Sequence, residues 1–287
     1  MWSSDDGGGI TQKILQKGAN DEEEEDGLRP RGMSYTNPQL CLQVANLSYD
    51  SAEIGTDYIM GTANEKKLHN VSFSAHSGKV TAIISSKVWE QECLIDLLSC
   101  RKKIGSFDGE IYLTGCLDKQ FSKNFAFVPH KTIYIPGLTF YDTLMYSAKL
   151  RLAGRSDVDI VKRVQDVMKI MQIWTSKFRV IPEHPESKGD DGLKLRLLSI
   201  AIEILTLPPL ILISDPTLNL DASKAQQILE SLQALAKMGH IVVCTLPKPN
   251  AVLAEYYDNI LVLSRGYSIY CAPLSKAEEY FTSKMMS

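Results

Sequence analysis

The chain reads as an α/β protein built on a parallel sheet, and three observations carry that reading. Leu210 to Ile213 is an unbroken apolar run, preceded by Pro208 and Pro209 and closed by Ser214 and Asp215. Its length and β-branched content suit a strand buried on both faces. The pattern then changes period: Ala225, Ile228, Leu229, Leu232, Leu235 and Ala236 recur at spacings of three and four, which predicts an amphipathic helix. Ile241 to Cys244 is a second short apolar run. Strand, helix and strand make a βαβ unit, whose strands lie parallel. Ligands bind at the carboxyl ends of such strands, so the residues after Ile213 are the first place to look for a site.

The other elements follow in chain order. Residues 1–38 hold three consecutive glycines from Gly7, the acidic run Asp21 to Asp26 and little that could pack. That composition predicts a disordered acidic tail, with an acidic docking motif as the alternative. The folded domain is expected over 39–284. Leu40, Leu42 and Val44 alternate as in a half-buried strand, as do Val71, Phe73 and Ala75 within Leu68 to Ala75, with a polar hairpin or loop from Ser51 to Lys67 between them. After Gly78, Lys79 to Ile84 forms a strand ending at Ser85. A helix follows with Leu94, Ile95, Leu97 and Leu98 on one face. Gly109 to Leu113 and Phe125 to Val128 are further strands, separated by a turn at Thr114 and Gly115. Residues 139–181 read as helical, with a helix starting at Thr139 and a stripe of Val161, Val164, Met168 and Met171. A helical subdomain is therefore expected over about 139–195. The chain closes with a helix (Pro249 to Tyr257), strands (Asn259 to Leu263 and Gly266 to Tyr270) and a helix (Ser275 to Phe281).

Composition bounds the function. A chain of 287 residues, 44% of them hydrophobic, can bury a full core. Net charge is 31 − 34 = −3, which supports no claim on nucleic acid or anionic lipid. No apolar run reaches the ~20 residues of a membrane helix, so no membrane span of its own is expected. The N-terminus has no basic-then-apolar signal pattern. Six cysteines (Cys41, Cys93, Cys100, Cys116, Cys244 and Cys271) form no C-x-x-C pair and read as reduced thiols of a cytoplasmic protein. The sequons at Asn46 and Asn70 are read as chance. His69, His76, His130, His184 and His240 stand at no metal-ligand spacing, so no metal site is expected.

The strand before Asp215, the trio Asp215, Pro216 and Thr217, the pair Leu220 and Asp221, and the following helix and strand together resemble the Walker B strand and D-loop of an ATP-binding cassette (ABC) domain. Thr139 to Leu152 and Leu263 to Phe281 are similar to segments of the G subfamily, the White and sterolin-like half-transporters. The resemblance covers about residues 40–282. It implies an ABC-type P-loop NTPase-like core with an N-terminal antiparallel β-subdomain and an inserted α-helical subdomain.

Carried over residue by residue, the resemblance places a scaffold without its usual chemistry. The phosphate loop aligns with Ser85, Ser86, Lys87, Val88, Trp89, Glu90, Gln91 and Glu92. Val88 and Glu90 stand at glycine positions, where backbone amides wrap phosphate at dihedrals other residues resist. Gln91 replaces the phosphate-pairing lysine and Glu92 the magnesium-binding hydroxyl; Lys87, one turn early, is an alternative cation. Ser214 replaces the Walker B aspartate and Asp215 the catalytic glutamate. His130 replaces the Q-loop glutamine and Pro247 the switch histidine, and the signature aligned with Asp190 to Lys194 retains only Gly192. Pro216, Thr217 and Asp221 match the family. Tyr49, near where an adenine-stacking aromatic belongs, also reads as a core aromatic, and Asp221 as a helix N-cap. A carboxylate ~4 Å from a phosphate oxygen costs on the order of 4 kcal/mol at an effective dielectric near 20. Micromolar binding is worth only about 8 kcal/mol.

The expectation is therefore no working catalytic residue and no cofactor, ATP with magnesium being the one that the resemblance allows. The implied role is an accessory or regulatory partner of an ABC half-transporter or its membrane domain, with a dimer of the family's nucleotide-binding type possible. The alternative is an ATP-binding subunit or fragment of a half-transporter, coupling ATP hydrolysis to transmembrane transport of lipid- or sterol-like substrates. The apolar cluster Ile133, Tyr134, Ile135, Pro136 and Leu138 reads as the partner interface or as a loop folded back on the core.

Overall fold

The structure is a computed structural model, described over residues 40–51, 67–102, 105–115, 125–183, 189–247, 249 and 251–285. The expected acidic tail, nearly all of the loop between Ser51 and Lys67, and Cys116 and His184 lie outside the described residues.

β1 (Cys41–Asp50) lies between β2 (Lys67–His76) and β4 (Ser106–Thr114) in a three-stranded antiparallel sheet. Besides Cys41 at its start, its buried side chains are Leu42, Val44, Leu47 and Tyr49, so the parity changes after Val44. A register shift in that interval absorbs one residue, and Asn46 there has φ 54°. Without such a bulge, Leu47 and Tyr49 would face the wrong side of the sheet. Opposite the bulge, Gly109 has φ 113°, and a Cβ there would meet Leu47 Cα at 2.6 Å. Glycine is the residue that fits both constraints.

The six-stranded sheet has the order β5-β6-β7-β3-β8-β9. Its members are β3 (Val80–Ser85), β5 (Phe125–Val128), β6 (Leu210–Ile213), β7 (Ile241–Thr245), β8 (Asn259–Ser264) and β9 (Tyr267–Pro273). The first five in that order run parallel, and β9 returns antiparallel to β8. Alternate residues feed two cores. Leu210, Leu212, Ile241 and Val243 pack with the antiparallel sheet and α1 (Val88–Leu98). Ile211, Ile213, Val242 and Cys244 pack on the other side with α2 (Phe140–Arg151), α3 (Asp157–Ile170), α4 (Gly189–Ile204) and α5 (Ala222–Lys237). Coverage on both faces explains why β6 and β7 read as unbroken apolar runs. All six residues of the α5 stripe are buried.

Three sequence expectations are corrected. The buried stripe of α3 is Ile160, Val164, Val167 and Met168, continued by Met171, with Val161 only half-buried at its margin. Helix does not persist to residue 181. After a single 3₁₀ turn at Trp174–Ser176 the chain returns alongside the start of α2, bridging Thr139 to Val180, with Phe140 N donating to Arg179 O at 3.0 Å and Ile181 N to Leu138 O at 2.8 Å. The helix expected over Pro249 to Tyr257 is only α6 (Ala251–Ala254). α7 (Ala277–Met285) closes the fold.

Candidate functional site

Parallel strands put their carboxyl ends on one edge, which gathers the residues after β3, β5, β6 and β7. His130, Ser214, Asp215, Pro247 and the segment Ser85 to Glu92 are brought together there. Neighbouring ends are tied directly. Ser214 N donates to Val128 O at 2.9 Å, Asp215 N to Thr245 Oγ1 at 2.8 Å and Leu246 N to Ile83 O at 2.9 Å.

The link from β3 into α1 is only Ser86 and Lys87, both exposed. None of residues 85–92 has positive φ, so Val88 carries no strain at its glycine position. Because helix starts at Val88, its first turns point Glu90 and Gln91 inward and Glu92 out. Glu90 is fully buried: its carboxylate accepts from the Ser85 hydroxyl and from Gly266 N, the latter at 3.1 Å. Gln91 is equally buried, its Nε2 donating to Ser85 O at 3.0 Å and Leu246 O at 3.4 Å, while its Oε1 has no hydrogen-bond partner. Of the two carboxylates on the aligned phosphate loop, only Glu92 faces outward.

Arg196 is a site residue that the sequence reading missed, a lone cation in the apolar stretch of α4. Its guanidinium is buried, with Nη1 donating to Pro129 O and Nη2 to Ser214 O and, at 3.1 Å, to Asp215 O. Nε has no hydrogen-bond partner. Burial lowers the Arg196 pKa to about 10. Asp215 stands at φ 41° and accepts from Thr217 Oγ1 at 3.3 Å. Burial pushes its carboxyl pKa up, against the opposing charge of Arg196, the Thr217 bonds and His130.

That shift gives a prediction whose sign is fixed. With the folded pKa raised, the native state binds the proton more tightly. Stability therefore falls as pH rises from the ordinary aspartate range through the folded value. Asp215→Asn, neutral throughout and tolerant of left-handed backbone, should match or exceed wild-type stability at pH 7 and lose that advantage below about pH 4. Urea unfolding at the two pH values checks it; an advantage that grows toward acid would overturn it.

Gly192 is buried in the first turns of α4, beside Asp190 and Asp191. Both acids have partners within the chain: Asp191 pairs with Arg179, and Asp190 lies 3.8 Å from Lys224 Nζ. Lys224 Nζ also meets Asp221 Oδ2 at 2.7 Å, and Asp221 caps α5 by accepting from Lys224 N at 3.0 Å. Those bonds hold the Asp221 carboxyl below its usual range. Tyr49 is buried, with Lys102 Nζ 5.2 Å from its ring centroid and Gly105 so close that a Cβ there would meet its hydroxyl at 2.8 Å. Its ring is taken up within the chain. The apolar loop divides: Tyr134 turns in, its hydroxyl donating to Leu195 O at 2.6 Å, while Ile133 and Ile135 stay exposed.

No family model matches the chain. It is 31% identical over 222 residues to ABC transporter G family member 1 of Dictyostelium discoideum, covering 75% of this chain and 28% of that protein. It is 28% identical over 281 residues to ABC transporter G family member 32 of Oryza sativa subsp. japonica, covering 94% and 19%. ABC transporter G family member 9 of Dictyostelium discoideum is 26% identical over 295 residues, covering 98% of this chain and 20% of that protein. The chain thus spans between 19% and 28% of the length of these relatives. Among solved structures, an ATP binding subunit of an ABC transporter matches with TM-score 0.62 at 19% identity, covering 84% of this chain and 93% of that one. The cbiO1 subunit of the cbiONQ ABC transporter complex from Clostridium perfringens matches with TM-score 0.66 at 19% identity, covering 86% and 93%. The chain has the fold of an ABC ATP-binding subunit, and its relatives are ABC transporter G family members.

Proposed function

We propose that the chain is a degenerate ATP-binding domain of G-family type that does not turn over ATP and serves as an accessory or regulatory partner of a G-family ABC transporter. The carrying observation is Gln91. It stands where the resemblance implies the phosphate-pairing lysine, and its amide group is engaged by the carbonyls of Ser85 and Leu246, behind a link of two residues. The residues present do not fit Mg-ATP in the family's pose. The outward carboxylate of Glu92 and the serine and proline at positions 214 and 247 support the same reading. Phosphoryl transfer is catalysed almost wholly by positioning and charge, which those positions lack. The chain acts at the cytosolic face of a membrane through its partner. No helix among the described residues is long and apolar enough to cross one.

A second reading is favoured by the G-family relatives: an ATP-binding region of a half-transporter that couples hydrolysis to the transport of lipid- or sterol-like substrates. One pair of measurements separates the two. Purified protein should show no magnesium-dependent ATP hydrolysis above a heat-inactivated control, and millimolar Mg-ATP should leave its melting temperature unchanged. A ligand at 100 times its Kd adds about 2.7 kcal/mol, several degrees for a domain of this size. A shift of that size reversed by EDTA, or turnover abolished by Asp215→Asn, would establish the second reading.

A further inference from the structure

The head of a helix at the carboxyl edge of a parallel sheet attracts negative charge, and anionic ligands settle there for that reason. In this chain a carboxylate from the first turn of α1 has been folded into that region from inside. One oxygen of Glu90 takes the hydroxyl of Ser85, the last residue of β3; the other takes the amide of Gly266 at 3.1 Å. Gly266 and Arg265 are the two central residues of the β8–β9 hairpin, both at positive φ, with Ser264 and Tyr267 paired across it. The carbonyl of Gly266 in turn accepts from His69 N of β2 at 2.8 Å, and the His69 ring stacks on Tyr267 at 4.7 Å between centroids. A single side chain therefore connects the end of β3, the hairpin at the sheet's edge and, one hydrogen bond further, the antiparallel sheet.

We infer that Glu90 is a built-in anion, which holds α1, the β8–β9 hairpin and β2 in one arrangement without a bound ligand. The inference deepens the non-hydrolytic reading and rests on it for its functional sense, because a site organised by its own carboxylate has nothing to sense. The short link through Ser86 and Lys87 makes this possible. Starting the helix at Val88 rotates Glu90 under the strand end, where a longer loop would carry it outward.

Chemical rescue tests the idea. Glu90→Ala removes Cγ and the carboxylate, a space that formate can enter, and leaves the Ser85 hydroxyl and the Gly266 amide without their buried acceptor. The melting temperature should fall by roughly 5 °C. Sodium formate should then restore at least half of the loss in a saturable way. Sodium chloride should not, and formate should not shift wild type or Glu90→Gln, which still fill the space. Amide hydrogen exchange gives a local readout: the Gly266 amide should be protected in wild type, exchange fast in Glu90→Ala and regain protection in formate. Where Glu90→Ala does not fold alone, refolding in formate is the readout. An unchanged melting temperature, no rescue or refolding by formate, or equal stabilisation of wild type would each overturn the built-in anion. Failure of the rescue leaves the absence of ATP turnover standing; Mg-ATP binding by wild type removes that reading while leaving the formate result intact.

Discussion

Arg196→Ala should lower the unfolding free energy by about 3–5 kcal/mol, the range for breaking a buried charged network. The guanidinium meets three carbonyls from two strand ends, those of Pro129 after β5 and of Ser214 and Asp215 after β6. Alanine would leave three acceptors without their donor, that of Ser214 in a buried bond and the other two part-buried, and hydrogen bonds to charged groups are worth about 1.5–3 kcal/mol each. Against that stands the cost of burying the cation, visible in its lowered pKa. Arg196→Met recovers that cost and much of the volume, so it should lose less than alanine. Arg196→Lys keeps the charge but not the planar fork, and should also fall between. Urea unfolding with unchanged m-values checks the order. A loss below about 1 kcal/mol for Arg196→Ala would mean that water replaces the guanidinium freely.

Arg196 also shows where sequence reading stops. Arg196 lies at the edge of an apolar region, and a single arginine among leucines and isoleucines carries no period of its own. Its role depends on carbonyls that the sheet places around it, one of them 67 residues away in sequence. The β6–α5–β7 unit was legible because double-sided burial and a regular stripe both write themselves into residue spacing. The far half of β1 was not, because the bulge at Asn46 switches the parity on which alternation depends. The segment 177–181 escaped for a related reason: one bridge and a few backbone bonds leave no side-chain pattern. At the carboxyl edge, alignment to family motifs assigned positions to Glu90 and Gln91 but not directions. Those are set by where α1 begins: two positions apart on a helix, Glu90 and Glu92 point to nearly opposite faces, one buried and one exposed.

Directions matter equally for the proposed partner surface, where the expected effect is complete loss of an interaction. The apolar loop was one cluster in sequence; folded, it has two sides. Tyr134 belongs to the core, through its hydroxyl bond to Leu195 O and its packing against the helical layer. Ile133 and Ile135 are 98% and 67% exposed, and Phe178 and Val180, on the strand-like return beside Thr139, are exposed at 75% and 53%. Two of these exposed side chains lie in the loop leading to Thr139 and two on the return bridged to it, and exposed apolar side chains of this kind suit a binding surface. Full burial of an isoleucine against a partner is worth about 1.5–3 kcal/mol. Losing two such contacts weakens binding by at least about a hundredfold at 1.4 kcal/mol per tenfold, and an aspartate held in an apolar interface adds its desolvation. Ile133→Asp combined with Ile135→Asp should therefore leave the protein soluble, with the wild-type melting temperature, and abolish co-purification with a G-family half-transporter. Tyr134→Asp should instead lower the melting temperature, since it places a charge beneath α4. Undiminished co-purification of the folded isoleucine double mutant would remove this loop from the interface. A fall in its melting temperature matching that of Tyr134→Asp would mean that Ile133 and Ile135 hold the protein's own fold together.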